Sequence, residues 1–207
     1  VTYDNRRHAG DVLARSLAGY AGRSDVLVLG LVRGGVPVAA QVASALGAPL
    51  DVLVVRKLGV PWAPEVAFGA LGPGGVVVHN PSVEARIANV DVAGVIANES
   101  AELTRREALY RRGRPPLDLN GRVAIVVDDG LATGATARAA VAVARRMGAG
   151  AVVVAVPVGA VDAIALLIAE ADDVVCPLRP ARFGAVSAYY GAFPQTTDGE
   201  VVALLRG

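Results

Sequence analysis

VAIVVDDGLATGATAR, residues Val123 to Arg138, sets an apolar strand, two adjacent acids and a run of small residues ahead of a helix, and its reading decides the fold class. Val123, Ala124, Ile125, Val126 and Val127 are β-branched at four of five positions, as expected of a strand buried on both faces of a parallel sheet. Asp128 and Asp129 end the run. Unpaired carboxylates cost too much to bury, so the doublet belongs at the open carboxyl edge of the sheet, within reach of water, hydroxyls or a metal. A ligand with vicinal hydroxyls suits it. Gly130, Leu131, Ala132, Thr133, Gly134, Ala135 and Thr136 then let the backbone wrap closely around a ligand, before an Ala-rich helix from Ala137 to Met147 that Gly148 stops. Consecutive N–H groups at the helix start form an anion nest, to which the Thr133 and Thr136 hydroxyls add donors. A phosphate monoester fits that description.

Two other phosphate motifs fail on the same residues. A nucleotide-triphosphate loop needs Gly-Lys-Ser/Thr, but Ala135 follows Gly134. A dinucleotide fingerprint needs G-x-G-x-x-G, whereas the turn after the first strand reads Gly30, Leu31, Val32, Arg33, Gly34, Gly35. An ordinary βα turn with an acidic cap needs one acid only, and leaves the second acid and both threonines without a reason.

At 207 residues the chain suits a single domain with a substantial core. With 54% hydrophobic residues, 24 glycines and 4% aromatics, that core is built from Val, Ala and Leu, as in α/β folds. The formal charge of +1 gives no bulk attraction to nucleic acid or an acidic membrane, so small-molecule chemistry is favoured. A basic cluster at Arg105, Arg106, Arg111, Arg112 and Arg114 is interleaved with Glu99, Glu102 and Glu107 and reads as a solvated helix. Cys176 is alone, so no intrachain disulfide forms and a reducing compartment is natural; it is expected to pack as a small hydrophobe. His8 and His79 lack the spacing of a zinc site. Met147 to Ala169 is apolar but holds Pro157 and Asp162, and splits into strand and helix rather than spanning a membrane. The first residues lack the apolar core of a secretion signal, and a cytoplasmic protein is expected.

The fold class that follows is α/β, a mainly parallel sheet with helices on both faces, plus a small hood and a flexible loop or hairpin. An opening helix is expected over Asp11 to Leu17, strands over Val26 to Leu31, Leu50 to Val55 and Ala151 to Val156, and a helix starting near Pro37 and ending at Leu46. Leu58 to Val66, with Gly59, Pro61 and Pro64, reads as a mobile loop. Phe68 to Leu71 and Val76 to His79 flank Gly72 to Gly75 as a hairpin, and Asp91 to Arg112 reads as one long helix broken by Pro115 and Pro116. Thr197 with Glu200 resembles a capping box for a last helix. Residues 1–207 thus form one domain: a core of about 24–176, an insertion at 58–116 and a hood at 177–207.

The strand, the acid pair and the T-G-x-T loop together resemble the phosphoribosyl pyrophosphate motif of the type I phosphoribosyltransferase family. The resemblance implies transfer of a 5-phosphoribosyl group from phosphoribosyl pyrophosphate to a nitrogenous base, with release of pyrophosphate. It implies that Asp128 and Asp129 bind the ribose hydroxyls and, directly or through water, Mg2+, and that Ala132, Thr133, Gly134, Ala135 and Thr136 bind the 5′-phosphate. Arg33, Gly34 and Gly35 fall to the pyrophosphate, with Gly34 allowing a strained peptide there. Arg56 and Lys57, at a strand end, are suited to gripping the leaving group as a loop closes. Tyr189, Tyr190 and Phe193 of the hood, with Phe183, are candidates to stack on the base. The 6-oxopurine members carry an acid where this chain has Ala132, while Ala132, Thr133, Gly134, Arg56 and Lys57 look more like the adenine branch. A purine-like acceptor, salvage metabolism and a homodimer are implied, and nucleic acid and membrane partners are not. The alternative is a non-catalytic sensor of the donor or of a nucleotide on the same fold.

Overall fold

The computed structural model describes residues 2–60, 62–87 and 89–206, with no account of the side chains at 64 and 65. Along the chain come α1 (Arg6–Ser16), β1 (Val26–Leu31), α2 (Gly35–Leu46), β2 (Leu50–Leu53), β3 (Arg56–Val60), β4 (Ala63–Gly72) and β5 (Val76–His79). There follow α3 (Pro81–Glu84), α4 (Val92–Tyr110), β6 (Val123–Val127), α5 (Ala135–Arg146), β7 (Ala151–Ala155), α6 (Val161–Ile168), β8 (Asp173–Val175) and α7 (Asp198–Arg206).

The five residues of β6 are all buried, as their β-branched run demands, and they lie at the centre of a parallel sheet ordered β2-β1-β6-β7-β8. Alternate residues serve opposite layers. Val26, Val28 and Ile125 pack with Leu13, Val38 and Val42 under α1 and α2, while Leu27, Leu29 and Val126 pack with Val141, Ile164 and Leu167 under α5 and α6. Each such side chain contributes about 1.5–3 kcal/mol by leaving water.

Two crossovers leave the sheet centre in opposite directions. The β1-α2-β2 unit runs one way and β6-α5-β7 the other, so the strand order reverses between β1 and β6. A crevice opens at that point above the carboxyl ends of the strands. The register pairs Gly30 with Val127, which brings the turn after β1 and the acids after β6 to one edge.

A second, antiparallel sheet, β3-β4-β5, stands where the sequence predicts a mobile loop over Leu58–Val66. Leu58 and Val60 alternate inward across Gly59 and pack with Phe68, Leu71 and Leu103, and that burial outweighs the glycine and prolines of the stretch. The pairing slips on both sides of Gly59, a bulge that glycine suits. Pro61 lies outside the described residues. The hairpin of Phe68–Leu71 with Val76–His79 pairs as expected, Gly69 opposite His79 and Gly72 opposite Val76.

The long helix is also present as α4, with the Asp91 carboxylate accepting the Gly94 N–H at 2.9 Å as its N-cap. Its basic residues are less solvated than the interleaved acids suggest. Arg105 and Arg106 pair with Glu102, but Arg111 grips Asp51 of β2 with two bonds of 2.9 and 3.0 Å, and Arg114 joins it at 3.3 Å. Arg114 also donates to the carbonyls of Leu50 and Leu205, tying α4 to β2 and α7. The opening helix starts a turn earlier than expected, at Arg6, because Asn5 accepts the His8 N–H at 3.0 Å. Edge strand β8 and the short α3, too brief to leave a periodic signal, are additions to the expected elements.

The segment expected as a hood pairs with residues 2–4. The Thr2 and Tyr3 N–H groups donate to the Tyr189 carbonyl, while Gly191 and Ala192 donate back to Tyr3 and Asp4. Beyond it the capping box forms as predicted, with the Thr197 N–H on Glu200 Oε2 at 2.7 Å and the Glu200 N–H on Thr197 Oγ1 at 3.2 Å. From it α7 packs Val201 and Leu205 against Val36, Leu103 and Tyr110.

Candidate active site

Asp128 and Asp129 stand at the end of β6, half-buried, with the Asp129 N–H donating to Asp128 Oδ1 at 2.9 Å. Burial, and next the Asp129 carboxylate beside it, push the Asp128 carboxyl up to about 8. Burial raises Asp129 too, and the Arg6 guanidinium opposes that rise. An acid doublet with so little water around it gains from any cation or hydroxyl pair that reaches it.

Across the crevice Gly34 and Gly35 begin α2, and the structure gives a reason for each. Gly34 has helical angles, φ −61° and ψ −30°, so the left-handed freedom of glycine is not what is used there. A Cβ on Gly34 would fall 2.2 Å from Asp129 Oδ2, and one on Gly35 would fall 2.5 Å from the Val127 carbonyl oxygen. Both glycines let the turn close against the acids. The Val32–Arg33 peptide is cis. Arg33 lies at the same edge, with Nη1 3.7 Å from Asp198 Oδ1, an atom that also accepts the Tyr110 hydroxyl at 2.7 Å.

The loop from Ala132 to Thr136 is held at its two ends. Leu131 is buried and exchanges main-chain bonds with Val158 (2.9 Å) and Ala160 (2.8 Å); Gly134, at φ +77°, turns the chain into α5. Ala132, Thr133 and Thr136 remain exposed between these anchors, and Thr133 Oγ1 accepts the Ala135 N–H at 3.4 Å. The remaining N–H groups of the first turn face the pole where a helix attracts anions.

Arg56 and Lys57 open β3 of the second sheet instead of closing β2. Arg56 Nε sits 2.5 Å from Glu99 Oε2 on α4. Lys57 lines a cavity of about 500 Å³ between that sheet and α5, together with His79, Ala135 and Arg138. The two cations therefore point to different neighbours, Arg56 to α4 and Lys57 into that cavity.

The hood aromatics also separate. Tyr190 is buried between Tyr3 and Phe193, with ring centroids at 5.6 and 4.8 Å, and its hydroxyl donates to the Asp129 carbonyl. That packing leaves Tyr190 no free face for a base. It is an anchor of the hood. Tyr189 stacks on Phe183 at 5.6 Å, and Val186 between them lies so near Gly130 that a Cβ there would come within 2.5 Å of it.

Arg6, from the first turn of α1, is the site residue that sequence reasoning missed. Its Nε donates to Asp129 Oδ2 at 2.8 Å, Nη1 donates to the Pro194 carbonyl at 2.6 Å, and its Cζ lies 3.8 Å from the Phe193 ring centre. Arg6 and Asp129 are 123 positions apart, and no local pattern signals the pair. Arg6, Arg33, Gly34, Asp128, Asp129, Phe193, Gln195 and Thr196 enclose a cleft of about 380 Å³. Among the described residues no group of three or more His, Cys, Asp or Glu side chains forms a metal cage, and no helix is long and apolar enough to cross a membrane.

The sequence pattern of the phosphoribosyl transferase domain matches residues 3–177, most of the chain. The chain belongs to the phosphoribosyl transferase family. A Mycobacterium tuberculosis H37Rv protein, a phosphoribosyl transferase by name, is 54% identical over 206 residues, which are 98% of this chain and 46% of that one. The phosphoribosyl transferase domain described above thus spans about half the length of the curated relatives it matches. The crystal structure of the Thermus thermophilus protein TT1426 superposes with a TM-score of 0.92 at 44% identity, covering 99% of this chain and 98% of that one. The AQ2163 protein of Aquifex aeolicus, at 11% identity and a TM-score of 0.52 over 86% of this chain and 74% of that one, shares the fold alone.

Proposed function

We propose that this phosphoribosyl transferase domain moves the 5-phosphoribosyl group of phosphoribosyl pyrophosphate to a ring nitrogen of a nucleobase and releases pyrophosphate. The observation that carries the reading is the β1–β6 register, which sets the Gly34 turn, the acid doublet and the phosphate loop around one crevice. The donor has matching parts: an anion for the nest at Ala132 to Thr136, a diol for Asp128 and Asp129, and a pyrophosphate for Arg33, Gly34 and Gly35.

In the reaction the ring nitrogen attacks the anomeric carbon as the bond to pyrophosphate breaks, through a ribose of cationic character. The chain holds the two reactants in line, and the acid doublet lies where positive charge grows on the sugar. The hood and the turn at Gly34 exclude water that would otherwise hydrolyse the donor. The donor set suits Mg2+, since two adjacent carboxylates, of which Asp128 has no ion-pair partner among the described residues, would hold the ion. Bound there, Mg2+ would neutralise charge on the pyrophosphate.

The stacked Phe183 and Tyr189, on the segment whose Val186 packs on Gly130, support a flat acceptor of purine type. A homodimer goes with this reading, and Trp62, 65% exposed at the β3–β4 turn, supplies apolar surface for one. The test is to incubate the protein with donor, MgCl2 and a panel of bases and to measure pyrophosphate. Base-dependent release that disappears in Asp128→Asn/Asp129→Asn is expected. Tight donor binding without turnover on any base would make the protein a sensor instead.

A further inference from the structure

Arg6 belongs to no motif in the sequence, yet the acid doublet, the tail and the pyrophosphate turn all touch it. Nε and Nη2 each lie 2.8 Å from Asp129 Oδ2, Nη1 is on the Pro194 carbonyl, and the pair is nearly out of water, with 11% and 15% of the two side chains exposed. A Cβ on Gly34 would stand 3.3 Å from Arg6 Nη2, so the guanidinium lies against the main chain of the turn. Phe193 beneath its plane stops it swinging away.

A guanidinium has five N–H donors in a rigid fork, and these contacts use at most three. The rest are available to a ligand in the cleft that Arg6 lines with Arg33, Gly34, Asp128 and Asp129. That cleft has a difficulty that Arg6 resolves. A carboxylate at Asp129 would repel a polyanion bound on Gly34, and the ion pair cancels this repulsion while presenting an oriented cation.

Resting on the transfer reaction proposed above, we infer that Arg6 is a further catalytic residue of this site, binding the leaving pyrophosphate together with Arg33 and the Gly34 turn. As the anomeric carbon–oxygen bond breaks, its electron pair leaves on the pyrophosphate oxygen, the nitrogen lone pair forms the new bond, and the proton the base sheds passes to water. Arg6 meets the charge that arrives on the departing group.

The full chain is titrated by calorimetry at fixed MgCl2, once with inorganic pyrophosphate and once with ribose 5-phosphate. Arg6→Gln is expected to weaken pyrophosphate binding by about tenfold or more, the worth of a charged hydrogen bond, and ribose 5-phosphate by less than about threefold. Should Arg6→Gln not fold, the wild-type protein serves: the arginine Nε–H resonance that is lost in Arg6→Lys shifts on adding pyrophosphate and stays put on adding ribose 5-phosphate. Equal losses for both ligands would make Arg6 a support for Asp129 only and overturn the inference, as would unchanged pyrophosphate affinity or an unmoved resonance. Wild-type protein that binds neither ligand would remove the transferase reading itself. Binding of ribose 5-phosphate with no pyrophosphate effect at Arg6 removes this inference alone.

Discussion

Gly34 and Asp129 touch across the crevice so closely that a single methyl group on Gly34 would overlap the Asp129 carboxylate, 2.2 Å from Oδ2. Arg6 holds that carboxylate from the other side. Gly34→Ala must therefore displace the acid or the turn. Donor affinity is expected to fall by about tenfold with little loss of melting temperature, because the overlapped atom ends a side chain. Gly35→Ala meets the Val127 carbonyl and the Asp128 Cα, which are main chain, and should cost about 1–3 kcal/mol of stability. Donor titration and thermal melts of the two variants, side by side, check the contrast.

Asp128 makes the donor-free protein sensitive to pH. Its folded-state value is raised to about 8, against about 3.9 for an unfolded aspartate, so the folded chain keeps a proton that the unfolded chain has lost. Stability is full below the unfolded value and declines as pH rises through that window. The urea midpoint of wild-type protein, without metal, should drop between pH 5 and pH 8, and Asp128→Asn should flatten the decline. An equal slope in both proteins would show that another group titrates.

Arg111→Ala leaves Asp51, 8% exposed, with the Val52 N–H on Oδ1 and the longer contact to Arg114 as its cation. A buried carboxylate stripped of its main partner costs about 3 kcal/mol, which chemical denaturation would detect. Asp51→Asn in the same background should recover part of the loss, since the unpaired charge is then gone.

Cys176 is buried, its thiol donating to the Leu178 carbonyl at 3.2 Å, and burial pushes it up to about 11. Ellman's reagent at pH 8 should leave the native protein unmodified and label one thiol per chain after denaturation. Rapid labelling of the native protein would contradict the packing of the β8 end of the sheet.

The strand-to-helix turn after β6 was legible because each part is local. The strand, doublet, loop and helix of Val123–Arg138 are contiguous, and a short β-branched run and a glycine-rich helix start carry their own signals. Contacts across the chain left none: Arg6 on Asp129, Tyr190 on the Asp129 carbonyl and Arg111 on Asp51 are decided by packing. Leu58–Val66 was illegible for a different reason, since Gly59 and the prolines argue against a strand while the inward alternation of Leu58 and Val60 argues for one, and burial decides. Tyr190 looked like a free aromatic for want of any sign that Tyr3 would cover it.

Because β2 closes one edge of the sheet and β6 pairs with β1 at its centre, the second sheet and α4 between them form an excursion from the parallel sheet. Descent can rewrite the hairpin sheet or lengthen α4 and leave the carboxyl edge that carries the acid doublet in place, so lineages sharing this edge are free to diverge in what they build over it.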